Sequence, residues 1–234
     1  MLATHLLDLA GAWSVVAQWR RVARRPVAAL TPGRREPPAD AAFEPLPPVP
    51  PPDDDDRPPA VEPRLPLRWV RTDEALRLLC ADLRGYGVLG LDVETTLGTR
   101  ALCLIQIAVA DFIALIDVLD VDDLSPLAPL MADATVPKVV HYAPFETSVM
   151  ARYGLPLTNV FDTCAESKAQ RGKVDGGHNL KAVCARELGI ELDKTDQTSD
   201  WTRRPLAAHQ IAYAAVDAEV MLSLYDVFRG GRLI

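Results

Sequence analysis

The fold is decided by Leu91-Asp92-Val93-Glu94-Thr95-Thr96, a stretch that follows the apolar run Val88-Leu89-Gly90. Side chains of an extended strand alternate between its faces, so Asp92 and Glu94 share one face while Leu91 and Val93 face a core. Two neighbouring carboxylates at the end of a buried strand repel each other and resist leaving water unless a cation compensates them. Oxygen ligands of this kind suit Mg²⁺ or Mn²⁺. Taken alone, the stretch favours a simpler interpretation, a solvated strand end, and the rest of the chain has to decide.

The composition predicts one globular domain with an appendage. The chain has 234 residues, of which 49% are hydrophobic, enough for one sizeable core. A formal net charge of -7 argues against a broad basic surface that coats nucleic acid. It does not argue against an enzyme that grips one end of a strand, because bound cations neutralise an acidic metal site.

Cysteine spacing and hydropathy predict a reduced, cytoplasmic protein that does not enter a membrane. The four cysteines are scattered, with no Cys-x-x-Cys pair, which argues against a zinc site. No apolar run is long enough to span a bilayer, and the N-terminus makes a poor secretory signal.

The first 66 residues differ from the rest of the chain in composition and in predicted structure. Residues 1–31 have apolar side chains at helical spacing and end in an arginine cluster, which predicts one amphipathic helix, or a transit peptide if the source is eukaryotic. Residues 32–66 carry most of the prolines and the acidic run Asp53-Asp54-Asp55-Asp56. This composition predicts an extended, disordered linker.

Residues 67–234 alternate strand and helix patterns, which predicts an α/β domain. We expect five strands that form a mixed sheet, with helices packed on its faces. The strands are predicted at residues 68–70, 88–94, 102–109, 112–117 and 138–142. Helix starts are predicted from capping residues or prolines at Thr72, Ser125-Pro126, Pro144, Asn179 and Pro205. Gln106, inside the third strand, is expected to be a buried amide with backbone partners.

The last predicted helix carries a second pair of polar side chains. Tyr213 and Asp217 are four residues apart, so they share one face of the helix and can reach one site together. By itself the pair fits an ordinary hydrogen-bonded or solvated contact.

Three motifs in order are more specific than any one of them. They are Asp92-x-Glu94, His141-Tyr142-Ala143-Pro144-Phe145-Glu146 at a strand-to-helix junction, and Tyr213-Ala214-Ala215-Val216-Asp217. Together they resemble the DEDD superfamily of 3′-5′ exonucleases, in the branch whose third motif carries a tyrosine. Within that branch, the stretch from Asp193 to Leu206 resembles ribonuclease D. The resemblance implies a ribonuclease H-like fold for residues 67–234.

The resemblance also implies a mechanism and a set of site residues. Two divalent ions, Mg²⁺ or Mn²⁺, about 4 Å apart would clamp the scissile phosphate at the single-stranded 3′ end of RNA or DNA. Tyr213 would orient the attacking water, and Thr95 would contact the terminal nucleotide. His141 is a second candidate substrate-binding residue, although a structural place behind the site is favoured for it. The implied metal ligands are Asp92, Glu94, Glu146 and Asp217.

One position departs from the family pattern. The second motif of the family has Asp where this chain has Glu146, and the extra methylene moves the carboxylate by about one bond length. Three functions therefore remain open. The first is a 3′-5′ exoribonuclease in RNA processing or decay; the others are a weakened nuclease fold that binds RNA or protein, and a DNA repair or proofreading exonuclease. The oligomeric state is not indicated by the sequence.

Overall fold

The computed structural model describes residues 61–230. The predicted helix of residues 1–31 and the predicted linker as far as residue 60 lie outside the described residues. Residues 61–66, at the end of the predicted linker, pack on the domain: Val61 and Leu65 contact the core, and the Arg64 guanidinium lies 2.9 Å from the carboxylate of Glu219. Within residues 61–230, no helix is long and apolar enough to cross a membrane.

A six-stranded mixed sheet forms the centre of the domain, in the order β1-β4-β3-β2-β5-β6. Strands β2, β3 and β4 form an antiparallel meander, while β1 pairs parallel with β4, β5 with β2, and β6 with β5. The strands are β1 (Leu67–Val70), β2 (Leu89–Thr95), β3 (Leu102–Ala108), β4 (Ile113–Asp117), β5 (Lys138–Val140) and β6 (Val160–Asp162).

The α/β fold is confirmed, but the predicted number of five strands is wrong. The sixth strand, β6, has three residues, all of them half-buried, and it lies at the edge of the sheet. A segment this short contains no period-2 hydrophobic pattern, so its pairing with β5 could not be foreseen from composition.

Helices cover both faces of the sheet. They are α1 (Asp73–Leu83), α2 (Ala128–Met131), α3 (Ala143–Arg152), α4 (Thr163–Arg171), α5 (Leu180–Leu188) and α6 (Ala208–Phe228). Thr72 caps α1 and Asn179 caps α5 as predicted, each accepting a backbone N–H three residues on. The prediction that the Ser125 hydroxyl caps a helix is wrong, because residues 125–127 form a 3-10 turn without a side-chain cap.

Two apolar layers sandwich the sheet. Leu91 and Val93 belong to the layer that contains α1 and part of α3, as the strand alternation predicts. The opposite face of β2 packs under α6, where the two elements approach so closely that a Cβ added at Gly90 would lie 2.5 Å from the carbonyl oxygen of Ala218. The lack of a side chain at Gly90 therefore sets how near α6 can lie to the strand that carries Asp92 and Glu94.

Candidate active site

All seven sequence-predicted site residues line one cavity of about 810 Å³. They come from the end of β2, from the junction of β5 with α3, and from the middle of α6. The residues are Asp92, Glu94, Thr95, His141, Glu146, Tyr213 and Asp217. Segments far apart in sequence thus bring four carboxylates and one phenol to a single site.

Backbone packing places the carboxylates. Asp92 and Glu94 follow Gly90 on the same face of β2, the face covered by α6. Asp217 precedes Ala218, whose carbonyl oxygen lies against Gly90. The close crossing of β2 and α6 therefore brings the strand carboxylates to the carboxylate of the helix.

Glu146 is held in the first turn of α3 by a cap from a neighbouring strand. The Asp162 carboxylate accepts the backbone N–H groups of Tyr142 and Ala143 at 3.0 and 3.1 Å. The same carboxylate also accepts the N–H of Cys164 at 2.9 Å, in the first turn of α4. One side chain thus fixes the start of two helices, and Tyr142 adopts a left-handed backbone conformation with φ 76° at this junction.

Burial and mutual repulsion raise the pKa values of three of the acidic groups. Burial, followed by the charge of Asp217, raises the pKa of Asp92 to about 7. Burial and then the charge of Asp92 raise the pKa of Glu94 well above its usual value. Burial raises the pKa of Glu146 to about 9, with a further contribution from Asp92. A bound cation would oppose each of these shifts, because it favours the ionised carboxylates.

Lys194 supplies a positive charge inside this acidic cluster. Its ammonium group donates to the Asp217 carboxylate and lies 3.3 Å from the Tyr213 hydroxyl. Burial and the neighbouring carboxylates of Asp217, Glu94 and Asp92 raise the pKa of Tyr213 far above its ordinary value. The phenol is therefore a stable hydrogen-bond donor at neutral pH and not a general base.

The chemistry of the acidic groups fits divalent cations. The carboxylates are hard oxygen donors, and Oε2 of Glu146 is buried with no hydrogen-bond partner. In the conformation described for residues 61–230, no three His, Cys, Asp or Glu side chains are arranged to hold an ion. Lys194 already pairs with one of the candidate ligands, Asp217.

His141 lines the cavity, but its ring makes structural contacts. Its Nδ1 lies 2.8 Å from the hydroxyl of Thr163, which donates to the carbonyl of Val140. Burial lowers the pKa of His141 to about 4, so the imidazole is neutral at pH 7. These contacts support its predicted structural place more than a direct role with substrate.

Gln106 differs from the sequence prediction of backbone partners. It lies opposite Asp92 in the register of β2 and β3 and is fully buried. Neither its amide oxygen nor its amide nitrogen has a hydrogen-bond partner in the described part of the chain. The prediction was wrong because strand patterning shows that the position is buried but not what lies beside its side chain.

Sequence reasoning assigned no role to the basic and aromatic side chains of the cavity wall. Arg100, Lys181 and Lys194 line the cavity with Phe145 and the exposed Tyr142. Lys194 belongs to the stretch that resembles ribonuclease D, so that resemblance was the one available signal for it. Arg100 and Lys181 occupy loop and helix-start positions with no periodic pattern to mark them.

The fold and the carboxylate-lined cavity define the class of protein as an α/β nuclease. A sequence profile of the family described as 3′-5′ exonuclease matches residues 67–230. The chain belongs to this 3′-5′ exonuclease family. The match confirms the predicted exonuclease membership, and the relatives below confirm the ribonuclease D-like resemblance, while the tyrosine-containing branch remains a prediction.

Relatives and solved structures agree with this membership. Ribonuclease D of Granulibacter bethesdensis is 33% identical over 166 residues, which cover 68% of this chain and 41% of that protein. The crystal structure of Escherichia coli RNase D, described as an exoribonuclease involved in structured RNA processing, has a TM-score of 0.62 at 28% identity and covers 70% of this chain and 46% of that one. The chain spans less than half the length of these ribonuclease D proteins.

A third similar protein has been solved with ligands. Brucella melitensis NrnC with bound Mg²⁺ matches at 28% identity with a TM-score of 0.61, covering 70% of this chain and 81% of that one. The same protein bound to pGG matches at 27% identity with a TM-score of 0.60, covering 70% and 80%.

Proposed function

We propose that the chain is a metal-dependent exoribonuclease that removes nucleotides from the 3′ end of single-stranded RNA by a two-metal mechanism. The observation that carries this proposal is the convergence of carboxylates from β2, α3 and α6 on one cavity, where burial and mutual repulsion raise the pKa values of Asp92, Glu94 and Glu146. Such a cluster is stabilised by cations. Similarity to ribonuclease D supports RNA as the polymer.

The residues that would hold the ions are Asp92, Glu94, Glu146 and Asp217. Bound divalent ions supply a nucleophilic water at neutral pH and neutralise charge on the phosphate. The ammonium group of Lys194 pairs with the Asp217 carboxylate, so it would compete with an ion for that ligand. Glu146 contributes a buried oxygen that has no other partner in the described structure.

In this proposal Tyr213 orients a water molecule and does not act as a base. Its hydroxyl stays protonated at neutral pH, so it orients the attacking water by hydrogen bonding and takes no proton from it. This role agrees with the tyrosine-containing branch of the DEDD superfamily. The four cysteines of the described residues are buried and unpaired, which supports a reducing compartment such as the cytoplasm.

A cleavage assay tests the proposal. The purified protein is incubated with RNA and DNA oligonucleotides of identical sequence, with either a free or a blocked 3′ end, in Mg²⁺, in Mn²⁺ or in EDTA. We expect stepwise shortening of RNA from the free 3′ end, dependence on the metal, and loss of cleavage in Asp92→Ala. Asp122→Ala, a charge-matched change at an exposed position outside the cavity, retains activity.

The remaining outcomes separate the other functions. Preferred cleavage of DNA would assign the chain to DNA repair or proofreading. Binding of RNA without cleavage in either metal would contradict the enzymatic proposal and favour the weakened binding domain. Cleavage that survives Asp92→Ala would show a contaminating nuclease.

A further inference from the structure

Arg100 places a positive charge at the cavity, and within residues 61–230 its side chain has no ion-pair partner. It lies in the turn between β2 and β3, is exposed, and lines the cavity. Within residues 61–230 its guanidinium makes no hydrogen bond and no ion pair, and it lies over the ring of Phe145 at 5.6 Å from the centroid. An arginine stacked on an aromatic ring keeps its planar set of donors available for a ligand.

The turn that carries Arg100 is fixed by its own backbone. The Thr96 N–H donates to the Ala101 carbonyl at 2.9 Å, and the Arg100 N–H donates to the Thr96 carbonyl at 3.1 Å. The Thr96 and Thr99 hydroxyls lie 2.8 Å apart. Arg100 itself has a φ of 54°, a left-handed conformation that is unfavourable for a side chain with a Cβ and persists where the surroundings impose it.

Arg152 supplies part of that constraint from the end of α3. Its guanidinium donates to the carbonyls of Thr99, at 3.3 Å, and of Arg100. The neighbouring Tyr153 hydroxyl accepts the N–H of Leu102 at 2.9 Å. The helix that holds Glu146 therefore also holds the turn that aims Arg100.

We propose that Arg100 binds a phosphate of the nucleic acid other than the scissile one, with Arg152 as its positioning residue. The proposal rests on the proposed nuclease function. A polyanion entering a cavity with an acidic floor requires cationic groups on the wall, and a guanidinium suits the two free oxygens of a phosphodiester. Within residues 61–230 Arg100 forms no ion pair with the floor carboxylates, and it lies in the turn beyond the end of β2, so the proposal assigns to it a phosphate other than the scissile one.

Binding is measured by fluorescence anisotropy with a 5′-labelled single-stranded RNA, in an Asp92→Asn background that blocks cleavage. The affinity is recorded over a series of salt concentrations with Mg²⁺ present. Arg100→Gln is expected to weaken binding roughly three- to thirtyfold, the effect of one charge-assisted contact. The slope of log affinity against log salt should fall by about 0.7, the value for one phosphate of a single strand.

A small substrate shows whether Arg100 contacts the scissile phosphate or another phosphate of the nucleic acid. The p-nitrophenyl ester of thymidine 5′-monophosphate has a single phosphodiester, so Arg100→Gln should leave its kcat/KM unchanged while it raises KM for the RNA. Arg77→Gln is the matched control, since this exposed arginine lies on α1 away from the cavity and should change neither measurement.

Arg152→Gln tests the positioning role. It should reproduce the binding loss of Arg100→Gln, and the double variant should bind no more weakly than Arg100→Gln alone, because both changes remove one interaction. Arg152→Lys should not restore binding, since one ammonium group does not reproduce the paired hydrogen bonds that the guanidinium donates to the carbonyls of Thr99 and Arg100. Thermal unfolding of each variant shows whether the fold is retained.

The proposal is overturned if Arg100→Gln keeps the wild-type affinity and salt slope, or if it impairs the small ester as much as the RNA. Additive losses in the double variant would overturn the role of Arg152. A protein that binds RNA through Arg100 but never cleaves it would refute the proposed function and leave the phosphate contact standing.

Discussion

The ammonium group of Lys194 donates a hydrogen bond to the carboxylate of Asp217 on helix α6. The pair places a side-chain cation among acidic groups whose other members have raised pKa values. Since the same carboxylate is a candidate ligand, Lys194 and a divalent ion compete for it in the proposed mechanism.

The first prediction follows from that competition. Lys194→Met should increase the affinity for Mn²⁺ in the absence of nucleic acid by roughly two- to fivefold, the scale of one partly exposed ion pair. Isothermal titration calorimetry measures the Mn²⁺ affinity of each protein. Lys181→Met, which removes a cavity-wall charge that has no carboxylate partner in the described residues, is the control. Equal or weaker Mn²⁺ binding by Lys194→Met would contradict the competition.

The second prediction concerns Glu146. Glu146→Asp restores the side chain of the family motif, and it should preserve or raise the rate of RNA cleavage because the shorter carboxylate suits the family geometry. Glu146→Gln keeps the size but loses the charge, and it should lower the rate by at least tenfold. Rates are compared at saturating Mg²⁺ and again at saturating Mn²⁺. An inactive wild type that stays inactive as Glu146→Asp would favour the binding function.

The third prediction concerns the crossing of β2 and α6. Gly90→Ala puts a Cβ 2.5 Å from the backbone carbonyl oxygen of Ala218. This oxygen belongs to the helix backbone, so it cannot move aside as the end of a flexible side chain could. The free energy of unfolding should fall by about 1–3 kcal/mol, as for overpacking elsewhere, and cleavage should fall with it because the carboxylates move apart. Gly98→Ala is the matched control, since a Cβ there has no neighbour within 4 Å. Urea denaturation distinguishes the two variants.

The fourth prediction is a dependence of stability on pH. Hydrogen bonds from Arg171, and then from Arg186, hold the pKa of the buried Glu187 below its usual value. A depressed folded-state pKa stabilises the protein above the ordinary glutamate pKa, and the contribution is lost as the pH falls through the lower folded value.

Glu187→Gln should therefore lower the free energy of unfolding by about 1–3 kcal/mol at pH 7. The difference from wild type should shrink as the pH falls below about 4. Chemical denaturation of both proteins over a pH series measures it, and a difference that is constant with pH would show that the ionised carboxylate is not the cause.

The fifth prediction concerns the segment before β1. Removal of residues 1–60 should leave cleavage intact, since every matched motif follows it. Removal of residues 1–66 also deletes Arg64 and leaves the carboxylate of Glu219 buried in α6 without that partner. Loss of such a partner typically costs about 3–5 kcal/mol.

Glu219→Gln in the shorter chain should recover part of that stability, because it removes the buried charge. Thermal unfolding compares the three proteins. Equal stability of the two truncated chains would show that the Arg64 contact is dispensable.

The sequence was informative where chemistry follows local spacing. Asp92 and Glu94 share a strand face because the strand period is two, and Tyr213 and Asp217 share a helix face because they are four residues apart. Both pairs could be placed without the structure. Their meeting in one cavity was implied only by the order of the motifs.

Features that depend on distant contacts were not predictable. Lys194 reaches Asp217, and Arg152 holds Arg100, only after the elements are packed. Gln106 was recognised as buried, but its missing partners depend on what lies beside it in three dimensions. Strand β6 forms because β5 supplies an edge to pair with, and not because of its own three residues.

The placement of Asp217 on helix α6 has a consequence for the biosynthesis of the protein. Asp92, Glu94 and Glu146 emerge from the ribosome long before α6, the last element of the described chain. The carboxylate set is completed only when α6 docks across Gly90. In the proposed function, a nascent chain that does not yet include α6 therefore lacks one of the four candidate metal ligands, and the site is complete only late in folding.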